Sequence, residues 1–209
     1  FRSDVRALLD RRHPFFEHSE GAFYLARRAG RAVGRIAVLE NRRCNERHGR
    51  RYAFFHLLEL EEDRQAASAL LGQAEGWARR RGLQALAGPG GLGAASGAGI
   101  LVDGFEHRAA MTMMGYNHPY YSRLLEQNGF RPHQNLYSAR LDPAVFQLPP
   151  RVRVAAEKVL ARGRFRVLEF RSKGQLRPLA SKLGELYNTS IGSDHSEAYP
   201  YTELSLIHI

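Results

Sequence analysis

The sequence predicts an α/β (α+β) fold, a mixed and strongly twisted sheet flanked by helices, followed by the start of a second unit. Three observations predict it. Apolar residues make up 44% of the 209, enough for a packed core, yet no segment approaches the ~20 unbroken apolar residues of a membrane span. Ala22–Arg28 and Arg31–Leu39 read as two strands on either side of Ala29-Gly30, a hairpin turn. Tyr52 to Gly88 then reads as strand, acidic turn, amphipathic helix and second short strand.

Residues 1–12 have a helical pattern that His13-Pro14-Phe15-Phe16 breaks. Ile36 and Val38 alternate with Ala37 and Leu39, so their strand is expected to be buried on both faces. Residues 41–51 are polar and cationic and read as a loop, and Tyr52–Leu58 as an aromatic-rich third strand. In the next helix Ala67, Leu70, Leu71, Ala74, Trp77 and Ala78 form one apolar stripe. Asp63 suits its N-cap, Arg79–Arg81 the negative end of its dipole, and Gly82 the left-handed position beyond it. Gly72 and Gly76 inside it cost about 1 kcal/mol each against Ala and mark either a close packing contact or mere tolerance, with tolerance the favoured reading. Leu83–Ala87 is the next expected strand, Ile100–Phe105 an extended stretch with a turn at Asp103-Gly104, Pro119–Asn128 a second helix, and Leu136–Leu141 a closing strand.

The Pro-rich stretch 143–151 reads as a linker, which gives a first domain at 1–142. Residues 152–203 read as helix, strand (Phe165–Phe170) and helix (Leu176–Tyr187), the opening of a second unit, and 204–209 have no cap, turn or partner strand. The chain is therefore expected to be a fragment: the first domain lacks its first strand, the second unit is cut short, and the last six residues are non-native.

The formal charge of +10 invites a nucleic-acid reading, but only Lys158, Lys173 and Lys182 are lysines, and the arginines are scattered rather than gathered on one element with interleaved aromatics. A solvated basic surface is the expectation, and nucleic acid is not an expected partner. The single Cys44 excludes an internal disulfide framework and fits a reducing cytosol, hence a cytoplasmic protein with no membrane partner. It lies in the arginine-rich segment, where a lowered thiol pKa is conceivable but no base partner is legible.

Gly88-Pro89-Gly90-Gly91-Leu92-Gly93 formally matches the dinucleotide fingerprint G-x-G-x-x-G, but no amphipathic helix follows and no acidic residue ends a second strand about 20 positions on. A flexible surface loop is expected there. The nine histidines show no paired ligand spacing, so no metal site is expected. No G-x-S-x-G elbow is present.

The hairpin strand Ala32-Val33-Gly34-Arg35-Ile36, the strand Phe54–Leu58, the helix with Ala69-Leu70-Leu71, Trp77-Ala78 and Gly82, and the stretch Tyr116-Asn117-His118-Pro119-Tyr120-Tyr121 to Asn128-Gly129-Phe130 together resemble the GNAT superfamily of acyl-CoA-dependent N-acetyltransferases. The resemblance covers about 16–141 and is closest to a bacterial branch with Gly88-Pro89, Gly99–Phe105 and Tyr116–Tyr121. It implies transfer of an acetyl group from acetyl-CoA to an amine, carried by a small molecule or a peptide. By position, backbone N–H groups around Leu57 and Leu58 would hold the pantetheine, and Gln65, Ala66, Ala67 and Asn117 would complete the cofactor site. His56 or Glu59 would be the base, and Tyr121 or its neighbour Tyr120 the acid.

The diphosphate loop of the family, Arg/Gln-x-x-Gly-x-Gly/Ala, is matched in length only: the positions read Glu62, Asp63, Arg64, Gln65, Ala66 and Ala67, and Ala67 alone fits. Three carboxylates thus stand where a diphosphate would approach. The late Tyr of the second helix is Leu125. The alternative implied is a non-catalytic GNAT-like module with lost or altered CoA binding. A tandem arrangement would pair it with a second GNAT-like unit in the same chain.

Overall fold

A computed structural model of the chain describes residues 2–92, 98–108, 115–139, 141–142, 144–163 and 168–190. Strand β1 (Glu20–Arg28) runs antiparallel to β2 (Arg31–Glu40), and Ala29 and Gly30 both take positive φ, 48° and 80°. Two such residues form the primed turn whose twist matches that of the flanking strands, so the hairpin closes as predicted. β2 also pairs antiparallel with β3 (Tyr52–Leu60), and β3 pairs parallel with the short β4 (Ala85–Ala87). The result is a mixed four-stranded sheet in the order β1-β2-β3-β4, flanked by helices.

Ile36, Ala37, Val38 and Leu39 are each at most 2% exposed, because β2 is an inner strand with helices over both faces. On one face lies α3 (Arg64–Arg80), whose Ala66, Ala67, Leu70, Leu71, Ala74 and Ala78 pack on Ile36, Val38, Ala53, Phe55, Leu58 and Leu60. Helix α4 (Tyr120–Gln127) adds Tyr121, Leu124 and Leu125 to the same core. On the other face Leu8 of α1 (Arg2–Leu9), Phe15, Ala37, Leu39, Cys44, Phe54 and Leu92 form a second cluster. Burying these side chains is the main stabilising term, at about 25 cal/mol per Å² of apolar area removed from water.

Trp77, expected on the stripe of α3, is only partly buried and lies beneath the Arg81 guanidinium, 4.8 Å from its ring centre. Arg81 also bridges Glu20 and Glu40, tying the end of α3 to the β1 and β2 edge. Gly82 takes φ 68°, the left-handed stop expected of it. A Cβ at Gly72 would meet open space, and one at Gly76 only the Arg80 side chain, in keeping with the tolerated reading.

Several expectations change. The cationic stretch after β2 is a helix, α2 (Arg42–His48): Asn41 Oδ1 accepts from the Cys44 N–H at 3.0 Å, and Gly49 stops it at φ 59°. Its polarity hid it, because only Cys44 and Asn45 point inward. Cys44 is therefore a buried core residue at 2% exposure and not part of an arginine-rich loop. The described part of the glycine stretch, 88–92, is packed rather than loose. Gly91 sits against the Phe54 ring, Asn41 Nδ2 donates to Gly91 O at 2.8 Å, and Leu92 is buried.

Leu136–Leu141 forms no strand in its described residues; Leu136 and Tyr137 are 70% and 91% exposed, and β4, only three residues long, offers them no edge. Ile100–Phe105 is irregular, though the turn is present, with Gly104 at φ 79°. The helix expected from residue 152 forms as α5 (Pro150–Ala161), which begins inside the stretch read as a linker, while Pro178 splits the next helix into α6 (Lys173–Leu176), a 3₁₀ turn and α7 (Ala180–Ser190). Residues 165–167 of the expected last strand, and the tail from 191, lie outside the described residues.

Candidate functional site

β3 and β4 part early. Their pairing ends at Phe54 opposite Ala87, and the next β3 carbonyl, Phe55 O, accepts from the Gly90 N–H at 2.9 Å. At the far end of β3 the Leu60 N–H donates to the Tyr121 hydroxyl at 2.8 Å, and Leu60 O accepts from the Tyr120 hydroxyl at 2.7 Å. Between these two anchors the β3 edge faces no strand among the described residues.

Inside that interval β3 bulges. Ala37 opposes His56 but Arg35 opposes Glu59, so β3 spends one residue more than β2, and Leu57 takes φ 49°. A bulge bends its strand and re-aims the backbone beside it, at a cost that a non-glycine left-handed residue makes explicit. Leu57 and Leu58, the positions expected to hold a pantetheine by their N–H groups, sit at this opening.

The register also sorts the side chains. Phe23, Ala37 and His56 form one transverse row, and Leu25, Arg35 and Glu59 the next, all on the face away from α3. His56 is mostly buried, its Nδ1 has no hydrogen-bond partner, and burial lowers its pKa below the ordinary 6.5, so it is neutral at pH 7. Glu59 is exposed and meets Arg35 at 3.7 Å. Tyr121 belongs to the α3 face; it is 4% exposed, and burial raises its phenol pKa above 10.0, with Glu59 adding to the effect. Tyr120 is shifted the same way, first by burial and then by Glu62. His56 thus stands on the face away from α3 while Tyr121 reaches β3 from the α3 side; Glu59, the other predicted base, is close enough to the Tyr121 hydroxyl to act on it by hydrogen bond and charge.

The acidic turn is fully engaged. Asp63 Oδ1 accepts from the Gln65 and Ala66 N–H groups at 2.9 and 3.1 Å, and the Ala67 N–H goes to Asp63 O at 3.0 Å. The three amides expected to meet a diphosphate are therefore occupied by one residue. Hydrogen bonds from Ala66 and then Arg28 hold the Asp63 carboxyl below its ordinary range. Arg31 pairs with Glu61 and lowers its pKa, and Arg123 of α4 pairs with Glu62. A cavity of about 510 Å³ lies among these groups, lined by Arg28, Arg31, Arg64 and the acidic turn.

Asn117 works on the backbone. Its Oδ1 accepts from the Leu101 N–H at 2.7 Å and its Nδ2 donates to Leu101 O at 3.0 Å, imitating one rung of a sheet ladder. This fixes the 98–105 segment against the start of α4. The arginines that pair with the turn were the residues missed in sequence, since partners 30 to 61 positions apart leave no local signal. Among the described residues no group of His, Cys, Asp and Glu could hold a metal ion.

Comparison with known proteins gives two relatives. The chain is 33% identical over 143 residues to the "Bacterial ceramide synthase" of Caulobacter vibrioides, covering 68% of this chain and 37% of that protein. It is 30% identical over 122 residues to "Protein YghO" of Escherichia coli K12, covering 58% of this chain and 31% of that protein. The chain thus spans about a third of the length of these curated relatives. No family model matches, and no solved structure matches. Among the described residues no helix is long and apolar enough to cross a membrane.

Proposed function

We propose that this chain carries an N-acyltransferase unit of the GNAT type, which moves an acyl group from an acyl-CoA thioester, acetyl-CoA in the simplest case, to an amine in the cytoplasm. The observation that carries the reading is the β3 opening between Phe55 and Leu60, with its bulge at Leu57 and Leu58. A likeness to a protein named ceramide synthase supports it, because ceramide is an amide and its synthesis forms an N-acyl bond.

The donor supplies the thioester carbonyl, and the chain supplies its surroundings. A backbone N–H of the bulge, Leu57 or Leu58, offers the fixed dipole that stabilises charge developing on a carbonyl oxygen. His56 is neutral, as a base must be before it takes a proton, but its unpartnered Nδ1 is buried and burial disfavours its charged form, which makes it the weaker of the two candidate bases. Glu59, the other candidate base, is the exposed carboxylate beside it. Tyr121 keeps its proton at neutral pH, as an acid must.

The diphosphate end of CoA does not fit the α3 N-terminus as it stands, because Asp63 holds those amides and Glu61 and Glu62 surround them. That observation favours a second reading, a non-catalytic GNAT-like module that pairs with a second such unit or binds another ligand. Calorimetry on the full chain with acetyl-CoA and with palmitoyl-CoA below its micellar range separates the two. Saturable binding that survives Tyr121→Phe while turnover falls supports the enzyme; no heat at millimolar acetyl-CoA and none with the longer thioester retires it.

A further inference from the structure

At the end of the β3 opening two neighbouring tyrosines meet the same residue and use it differently. Leu60 O accepts from the Tyr120 hydroxyl at 2.7 Å, so that phenol spends its hydrogen on the backbone. The Tyr121 oxygen accepts the Leu60 N–H at 2.8 Å, while Leu60 O, already served by Tyr120, lies 3.5 Å away. The Tyr121 hydrogen is left for the Glu59 carboxylate, which hydrogen-bonds the same hydroxyl. Tyr121 comes from the α3 side and Glu59 stands on the other face, so the two meet at the strand edge between them. That edge is the open one. The Glu61 N–H donates to Val33 O across β2, and backbone directions alternate along a strand, so the N–H groups of Leu60 and Leu58 both turn away from β2 into the opening. The Tyr121 ring is buried, its hydroxyl lies at this edge, and the Glu59 side chain continues into solvent.

We propose that Glu59 and Tyr121 act as one proton relay: Glu59 takes a proton from the attacking amine on its solvent side, and Tyr121, hydrogen-bonded to it, gives its own proton to the leaving thiolate. The role rests on the acyl-transfer reading; the pair itself stands without a ligand. As the amine nitrogen bonds to the acyl carbon, the carbon–sulfur bond breaks with its electron pair on sulfur. One N–H proton goes to the Glu59 carboxylate, the Tyr121 phenol proton goes to sulfur, and the Glu59 proton passes to the phenolate. Both residues end as they began. The Leu60 N–H lowers the cost of a transient phenolate, and the carboxylate keeps the phenol protonated until then. Arg35 on β2, at 3.7 Å from Glu59, and Tyr120 on α4 are the other charged or titratable groups against the pair, and neither is a base at neutral pH. The same geometry separates the two tyrosines: Tyr120 is a positioning residue that braces Leu60, and Tyr121 is the acid.

The test reads Tyr121 first in the full chain without ligand. With tyrosines isotope-labelled at Cζ and the Tyr121 resonance assigned from Tyr121→Phe, Glu59→Gln should move its titration to lower pH. Thiol release from acetyl-CoA, with benzylamine as the acceptor probe, is the second readout. Glu59→Gln should lower kcat by about 100-fold or more while KM for acetyl-CoA stays within about twofold. Tyr121→Phe should lose a similar factor, and the double variant no more than about threefold beyond either single one, as for groups that act as a unit. Glu59 is exposed, so its variant keeps the test intact even where Tyr121→Phe loosens the fold, which circular dichroism checks. A Tyr121 titration unmoved by Glu59→Gln, or single losses that multiply in the double variant, overturns the relay and leaves acyl transfer standing. No thiol release by the unsubstituted chain removes the relay together with the acyl-transfer reading, even where the titration moves.

Discussion

Two residues at the opening illustrate how a position is fixed by what it touches. Tyr121 was named from the family resemblance as the acid, but its bond to the Leu60 N–H spans 61 positions and is invisible in sequence. Tyr121→Phe should cost about 1–2 kcal/mol in denaturant unfolding, because it leaves a buried N–H unpaired. The histidines make the second case. Burial, and then the Arg43 charge, lower His18 to about 4, and burial lowers His56 from 6.5. Folded pKa values below the unfolded ones mean that the unfolded chain binds more protons as pH falls from about 6.5 toward 4. Stability should therefore decline through that window and level off below it, as far as these two groups decide. His18→Gln and His56→Gln should flatten the slope in urea midpoints measured across it; an unchanged slope in both would mean that neither group is shielded from its charge.

Elements were legible where the pattern was dense. The α3 stripe, its Asp63 cap and the primed hairpin turn all follow from local chemistry, so they formed as expected. Helix α2 was missed because its inward face is only two residues wide, and the glycine stretch because nothing local shows that Phe54 lies against Gly91. The contrast yields paired predictions for thermal unfolding. Gly72→Ala should stabilise by about 0.5–1 kcal/mol, since its Cβ meets nothing and the helix gains propensity. Gly91→Ala should destabilise by about 3 kcal/mol or more, because φ is 85° and the new Cβ meets the buried Phe54 ring. Asp63→Ala should cost about 1 kcal/mol through loss of the cap. It would also free the α3 amides, so a rise in acyl-CoA affinity would identify Asp63 as the group that occupies the phosphate position.

For the whole molecule, the +10 charge and the acidic turn are one problem. Arg28, Arg31 and Arg123 reach the turn from β1, β2 and α4, and Arg81 joins α3 to Glu20 and Glu40, so much of the basic surface near the sheet is committed to carboxylates. Duplex DNA should accordingly bind only at the non-specific level, no tighter than about 10⁻⁶ M near physiological salt by fluorescence anisotropy. Tight binding with a steep salt slope would reopen the nucleic-acid reading. What the sequence determined by itself is the mixed α/β class, the hairpin, the αβ unit and the acidic, self-capping start of α3, because each depends on neighbours within a few residues. What the tertiary structure alone decided is the site: the early parting of β3 and β4, the bulge at Leu57, the tyrosine anchors and the face on which His56 stands. Those arise from register and from contacts between distant segments, and a bulge of one residue changes which face a side chain serves without leaving any mark on composition or periodicity.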